Sequence, residues 1–139
     1  DANGNSRIEA GTGKDSVAAL SWSDVSGQLC MTASTDKSGT AGITWLDANK
    51  KPRMITAVQR GGLAGTLWMD ANGKLRIHAG TDSDGTAYVT WLDANDKTRI
   101  FASTTKDGLV DLPTSDQLHK KQSLGSEDIC FHQTSRVVD

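Results

Sequence analysis

Four tryptophans, Trp22, Trp45, Trp68 and Trp91, stand 23 residues apart with no insertion or deletion between them. The text around them repeats too: WLDANKKPRM from Trp45, WMDANGKLRI from Trp68 and WLDANDKTRI from Trp91. Asp1, Asp24, Asp47, Asp70 and Asp93 hold one phase of this period, and Ile8, Met31, Met54, Ile77 and Ile100 hold another. A period of this length belongs to a stack or ring of like supersecondary units, none of which buries a core alone. Five such units occupy residues 1–115. Residues 116–139 keep only Asp116 and Asp139 on the aspartate phase and lose the Ile and Arg columns. They are expected to be a degenerate repeat or a C-terminal tail or cap. The chain opens on the aspartate phase, without the Trp-x pair of the other copies and without Met, so a processed product or a piece of a longer chain is expected.

The cleanest copy runs Asp70-Ala71-Asn72-Gly73-Lys74, and Asn-Gly between apolar runs is a strong hairpin signal. A two-residue turn at Asn72-Gly73 pairs Asp70 with Leu75, Met69 with Arg76, Trp68 with Ile77 and Thr66 with Ala79. Trp68, Ile77, Thr66 and Ala79 then share one face, and Leu67, Met69, Arg76 and His78 the other. The fourth copy gives the same face from Trp91, Ile100, Val89 and Ala102. Asn49-Lys50 and Asn95-Asp96 suit a left-handed second residue less well, so turns of another type are expected there. Polar, turn-rich connections such as Thr81-Asp82-Ser83-Asp84-Gly85 join successive hairpins. No sustained helical period is present in the first 115 residues, and Glu occurs only at Glu9 and Glu127. The expectation is an all-β meander of tandem 23-residue antiparallel hairpins, about ten strands of ordinary length, in a prism-like, fibre-like or propeller-like array. Its one apolar face must be covered, by closure, by a second layer or by a partner.

At 139 residues the chain is long enough for one domain with a core. Its formal charge is −2 and evenly scattered, with no basic stripe, so nucleic acid is a poor candidate partner. No apolar run approaches membrane-spanning length, and the strands are short for a transmembrane barrel, so membrane insertion is not expected. Cys30 and Cys130 are the only cysteines. A bridge between them would close a loop of about 100 residues and contribute ~4–5 kcal/mol in the chain-entropy model. Two free thiols and an intersubunit bridge are the alternatives. An even count in a chain rich in Ser, Thr, Gly and Asp points to an exported protein.

The tryptophans have two readings. Regularly spaced exposed rings stack on sugars, whereas rings that share a face with Ile, Met and Ala pack in a core, which is the better reading here. Arg7, Arg53, Arg76 and Arg99 form a column, with Arg53, Arg76 and Arg99 expected opposite Leu46, Met69 and Leu92. Their apolar stems then lie on the sheet while the guanidinium groups make an interface, solvated or anion-binding row. Cys30 takes the arginine position in the second copy. Asp82-x-Asp84-Gly85 and Asp70-x-Asn72-Gly73 look like fragments of calcium loops without the terminal Glu, and are better read as turn braces, so no metal site and no cofactor are expected. His78, His119 and His132 fall on different phases, and no nucleophile motif or phosphate loop is present. An array offering the same groups over and over does not assemble the distinct groups of an active site, so no enzymatic activity is expected.

The segments DANGKLRIHAGT at 70–81 and DANGNSRIEAGT at 1–12 resemble the β-repeats in shafts of bacteriophage tail fibres and of bacterial surface proteins. The resemblance implies a fibrous or adhesive role outside the cell or on the cell or virion surface, and self-association into a homo-oligomer or filament. A carbohydrate-binding repeat, a propeller with two hairpins per blade and Trp-based sites for cell-surface glycans, is the alternative. The column opposite the Trp face varies as Thr32, Ile55, His78 and Phe101, which favours scaffold over a repeated ligand site.

Overall fold

The computed structural model describes residues 1–13, 17–104, 107–108 and 110–111. The tail at 116–139, with Cys130, His119 and His132, lies outside the described residues. Ten strands follow in order: β1 (Ile8–Thr12), β2 (Ala18–Ser23), β3 (Leu29–Thr35), β4 (Ala41–Leu46), β5 (Pro52–Val58), β6 (Ala64–Met69), β7 (Leu75–Thr81), β8 (Ala87–Leu92), β9 (Thr98–Thr104) and β10 (Val110–Asp111). Each pairs antiparallel with its sequence neighbour, and the result is one ten-stranded sheet in strict chain order. The hairpin array expected from the period is therefore present. The sheet runs unbroken through all ten strands and does not divide into four-stranded blades.

Seven successive turns, opening at Asp24, Asp36, Asp47, Gln59, Asp70, Asp82 and Asp93, share one hydrogen-bond pattern. In the Asp70 turn the Gly73 N–H donates to the Asp70 carbonyl at 3.0 Å and the Asp70 N–H donates to the Lys74 carbonyl at 2.9 Å. The fourth residue has positive φ, 81° at Gly73, so this is the three-residue hairpin loop and not the two-residue turn expected from Asn-Gly. Lys50 and Asp96 occupy the same position with φ 61°, so the turns at Asn49-Lys50 and Asn95-Asp96 are not of another type. A side chain there is strained, since Cβ crowds the backbone in the left-handed region.

Three loop residues instead of two would shift every pair by one, and a β-bulge restores the count. Met69 pairs with Leu75 but Trp68 pairs with Ile77, leaving Arg76 as the extra residue. The same shift falls between Trp22 and Ser23, Trp45 and Leu46, and Trp91 and Leu92, leaving Cys30, Arg53 and Arg99 unpaired. Hence Arg53, Arg76 and Arg99 do not stand opposite Leu46, Met69 and Leu92, whose partners are Pro52, Leu75 and Thr98. The turns on the opposite rim need no bulge, since Thr35 pairs with Ala41, Val58 with Ala64 and Thr81 with Ala87. Bulged strands β3, β5, β7 and β9 are accordingly seven residues long and β2, β4, β6 and β8 six.

Directly paired residues share a face. Ile8, Trp22, Met31, Trp45, Met54, Trp68, Ile77, Trp91 and Ile100 therefore make one row across the sheet. Among the described residues no second layer covers this row, and only Ala57 and His78 are buried, at 5% and 7% exposure, both on the reverse face. Lys50→Gly is expected to raise stability by about 0.5–1 kcal/mol, as relief of left-handed strain outweighs glycine's entropy. The check is a higher urea midpoint at unchanged slope. Asp96→Gly should gain less, because Asp tolerates this conformation better and its carboxylate sits 3.3 Å from Lys74 Nζ.

Candidate functional site: the tryptophan face and the aspartate–arginine rim

In most of the turns the aspartate that opens the turn is its brace; the exceptions are the turns opened by Gln59 and Asp82. Asp70 Oδ1 accepts the N–H groups of Asn72 at 2.8 Å and Lys74 at 3.0 Å. Asp47 and Asp93 bind Asn49 and Lys51, and Asn95 and Lys97, in the same way. Asp24 and Asp36 add the hydroxyls of Ser26 and Ser38. Short Asx turns of this kind satisfy donors that a three-residue loop otherwise leaves open.

The second carboxylate oxygen meets the bulge residue. Arg76 Nε donates to Asp70 Oδ2 at 2.9 Å, with Nη2 on the same oxygen, and Arg99 Nε donates to Asp93 Oδ2 at 2.7 Å. Arg53 and Arg7 stand 3.5 Å and 3.4 Å from Asp47 and Asp1. The guanidinium groups of Arg7, Arg53 and Arg76 also reach the next strand or turn. Arg7 Nε donates to the Ser23 carbonyl at 2.9 Å, Arg53 Nε to the Met69 carbonyl at 3.1 Å, and Arg76 Nη1 to the Asp93 carbonyl. Farther out, Lys51 Nζ and Lys74 Nζ approach the carbonyls of Ala71 and Ala94 at 3.4 Å and 3.2 Å, and Gln28 Nε2 that of Ala48. One rim of the sheet is thus a ladder in which each turn grips the next. Cys30, in the arginine position, is exposed, with its thiol 3.4 Å from the Gln28 carbonyl. The bridge to Cys130 involves a residue outside the described ones.

These contacts hold the Asp70 carboxyl well below the usual carboxylate range, at about 2, first through the Lys74 N–H and then through Arg76. Asp47 and Asp93 are lowered by the same kinds of contact, led by the Lys51 and Lys97 N–H groups. In Asp24 and Asp36 the serine hydroxyls lead.

All four tryptophans of the repeat lie on one face. Trp22 and Trp45 are half-buried, and Trp68 and Trp91 are 37% and 38% exposed, so the described residues do not enclose them as a core. The reverse face is lined by small residues. Gly42, Ala57, Gly65 and Gly80 are successive partners on neighbouring strands. A Cβ on Gly80 would sit 2.5 Å from the Ala64 carbonyl oxygen and 3.0 Å from the Tyr88 hydroxyl. Tyr88 shares a hydrogen bond with His78 Nε2 at 3.0 Å, the two rings edge to face. Burial pushes the His78 imidazole below its ordinary value, against the opposing charge of Asp82. This pair has no counterpart in the other repeats, and only the variation of the reverse-face column hinted at it. In the turn opened by Asp82, Asp84 accepts the Thr86 N–H at 2.9 Å.

A shallow depression of about 520 Å³ crosses β2 to β5, lined by Leu20, Ala33, Ile43, Ala57 and Val58 among others. Among the described residues no three His, Cys, Asp or Glu side chains converge. No family model and no curated protein matches the chain.

Two outcomes follow from this geometry. The carboxyls are lowered on folding, so their stabilisation is complete above the ordinary Asp range and is lost as pH falls from about 4 toward 2. The urea midpoint should fall over that window, and less steeply in Asp70→Asn, which should also be weaker at neutral pH. Gly80→Ala should cost about 1–3 kcal/mol by overpacking. Gly11→Ala, in the same reverse-face row with nothing within 4 Å of its Cβ, should cost nothing measurable in the same denaturation assay.

Proposed function

We propose that this chain is a non-enzymatic structural or adhesive repeat module of an extracellular fibre, filament or appendage, one that associates with like chains through its sheet faces. The observation that carries this reading is the distribution of exposed apolar surface. Among the described residues, the large exposed hydrophobic side chains are Ile8, Val25, Val58, Trp68, Trp91, Ile100 and Val110. All but Val25, which sits in a turn, lie on the tryptophan face. A contiguous apolar face of this extent marks an interaction surface in a soluble protein. Stacked like units are the form in which repeat arrays bury such faces.

The charged side chains support a scaffold as well. The aspartates brace turns and the arginines grip them, which leaves the repeated acids and bases committed to holding the rim. A fibre shaft needs such a unit, stiff and of constant length, without a cofactor, a nucleic-acid partner or a membrane-inserted segment. The cell or virion surface is the proposed location.

One observation favours a second reading. Trp68 and Trp91 are open enough to stack on a sugar, as in a carbohydrate-binding repeat. Against it, the strand positions around them on that face carry no polar side chain besides threonine, and sugar sites need groups that read hydroxyls.

Negative-stain electron microscopy of the purified chain distinguishes the two. Rods, filaments or ordered oligomers are expected. Unassembled single particles that bind a glycan panel, with binding lost in Trp68→Ala, would reverse the order of the two readings.

A further inference from the structure

On the tryptophan face, side-chain size alternates from strand to strand in the first and third rows, and in the second everywhere except between Thr56 on β5 and Thr66 on β6. In the first row β2, β4, β6 and β8 carry Trp, and the odd strands carry Ile or Met. In the second, the even strands carry Leu20, Ile43, Thr66 and Val89, while the odd ones carry Ala except for Thr56 on β5. In the third the order inverts, with Ala on the even strands and Thr or Val on the odd. A face of this kind is complementary to itself only when odd strands lie over even ones. Even over even sets Trp on Trp and Ala on Ala, an overfilled row beside a void.

We infer that the tryptophan face pairs with the same face of a second copy of this chain, across a two-fold axis that runs along the strands between β4 and β5. This deepens, and rests on, the self-association proposed above. With that axis Trp45 of one copy lies over Met54 of the other, Ile43 over Thr56, Ala41 over Val58, and Leu20 over Ala79. Each contact joins a larger side chain to a smaller one and repeats by symmetry, as an isologous interface requires. Packed sheets stand about 10 Å apart.

Extent and polarity agree with a second copy as occupant. Eight overlapping strands, β1 to β8, at about 4.8 Å spacing and five residues at about 3.4 Å rise give a shared face of roughly 650 Å² in plan. A stable pair buries about 800 Å² per partner, and the relief of the side chains adds to the plan area. None of the three rows holds an Asp, Glu, Lys, Arg or His. Three of their threonine hydroxyls are already engaged within the sheet: Thr56 and Thr66 share a hydrogen bond at 3.0 Å and Thr104 Oγ1 accepts the Ala87 N–H at 3.3 Å.

The test is sedimentation equilibrium of the full chain and four variants, with circular dichroism to confirm the sheet. Val58→Lys adds a charge to the face at a side chain already 52% exposed, so it does not burden the single chain. Ser34→Lys adds the same charge to the reverse face. Leu20→Ala and Ala79→Leu are made singly and together; within one chain the two positions are five strands, about 24 Å, apart. The expected results are a dimer for the parent chain and for Ser34→Lys, and a monomer for Val58→Lys. Each size variant alone should weaken the dimer roughly tenfold and the pair should restore it, a coupling that distant sites in one chain do not show. Should Val58→Lys disturb the sheet, Trp68→Ser takes its place. Dissociation by Ser34→Lys but not by Val58→Lys, a trimer, or additive size variants would each overturn this pairing and leave self-association standing. A monomer at every concentration would overturn both.

Discussion

Most of the turns of this sheet depend on one small contact, the carboxylate of Asp1, Asp24, Asp36, Asp47, Asp70 or Asp93 that opens the turn and accepts N–H groups two and four residues ahead. It holds a three-residue loop, and that loop has a consequence for parity. Side chains alternate strictly along a strand, so one extra loop residue would send the tryptophan row to alternating faces. The bulge at Cys30, Arg53, Arg76 and Arg99 absorbs that residue. A bulged residue is unpaired and aims its side chain freely, which is why Arg53 and Arg76 reach both their own turn's aspartate and the next strand or turn. Turn, bulge and ion pair are thus a single device, repeated along one rim.

What the device holds together is unusual, since a sheet is normally stabilised by a second layer. Among the described residues the strong contacts run only between strands that are sequence neighbours. Stability is then close to a sum of nearest-neighbour terms, as in other repeat arrays. The rim ladder matters more in such a molecule than surface ion pairs usually do, because it is continuous and ties each hairpin to the next. The tryptophan face keeps its large side chains open among the described residues, and the proposed self-association rests on that face.

The registration of the sheet core was legible in the sequence, and the turn that produces it was not. A two-residue Asn-Gly turn pairs Trp68 with Ile77 and Thr66 with Ala79, as observed, but it also pairs Asp70 with Leu75 and Met69 with Arg76, which is not observed. The loop's extra residue and the bulge offset each other, so the hydrophobic pattern came out right while the rim came out wrong. Lys50 and Asp96 were the available clue: residues disfavoured in a left-handed conformation occupy it because the rest of the turn demands it. The spacing of the turns was a second clue. Their first residues fall alternately 12 and 11 residues apart, which exposes a half-repeat of one strand and one turn with the bulge as the odd residue.

The period, the all-β class, the shared face of the four tryptophans and the bracing role of the aspartates follow from the sequence alone. These are local and periodic properties, and each recurs often enough for chance to be excluded. The open single layer, the engagement of the arginines with Asp1, Asp47, Asp70 and Asp93, and the His78–Tyr88 contact over a glycine-lined reverse face required the tertiary structure. They depend on side chains brought from different strands and on whether the sheet closes on itself. Neither twist nor closure is encoded in a pattern that is identical for a barrel, a sandwich and an open sheet.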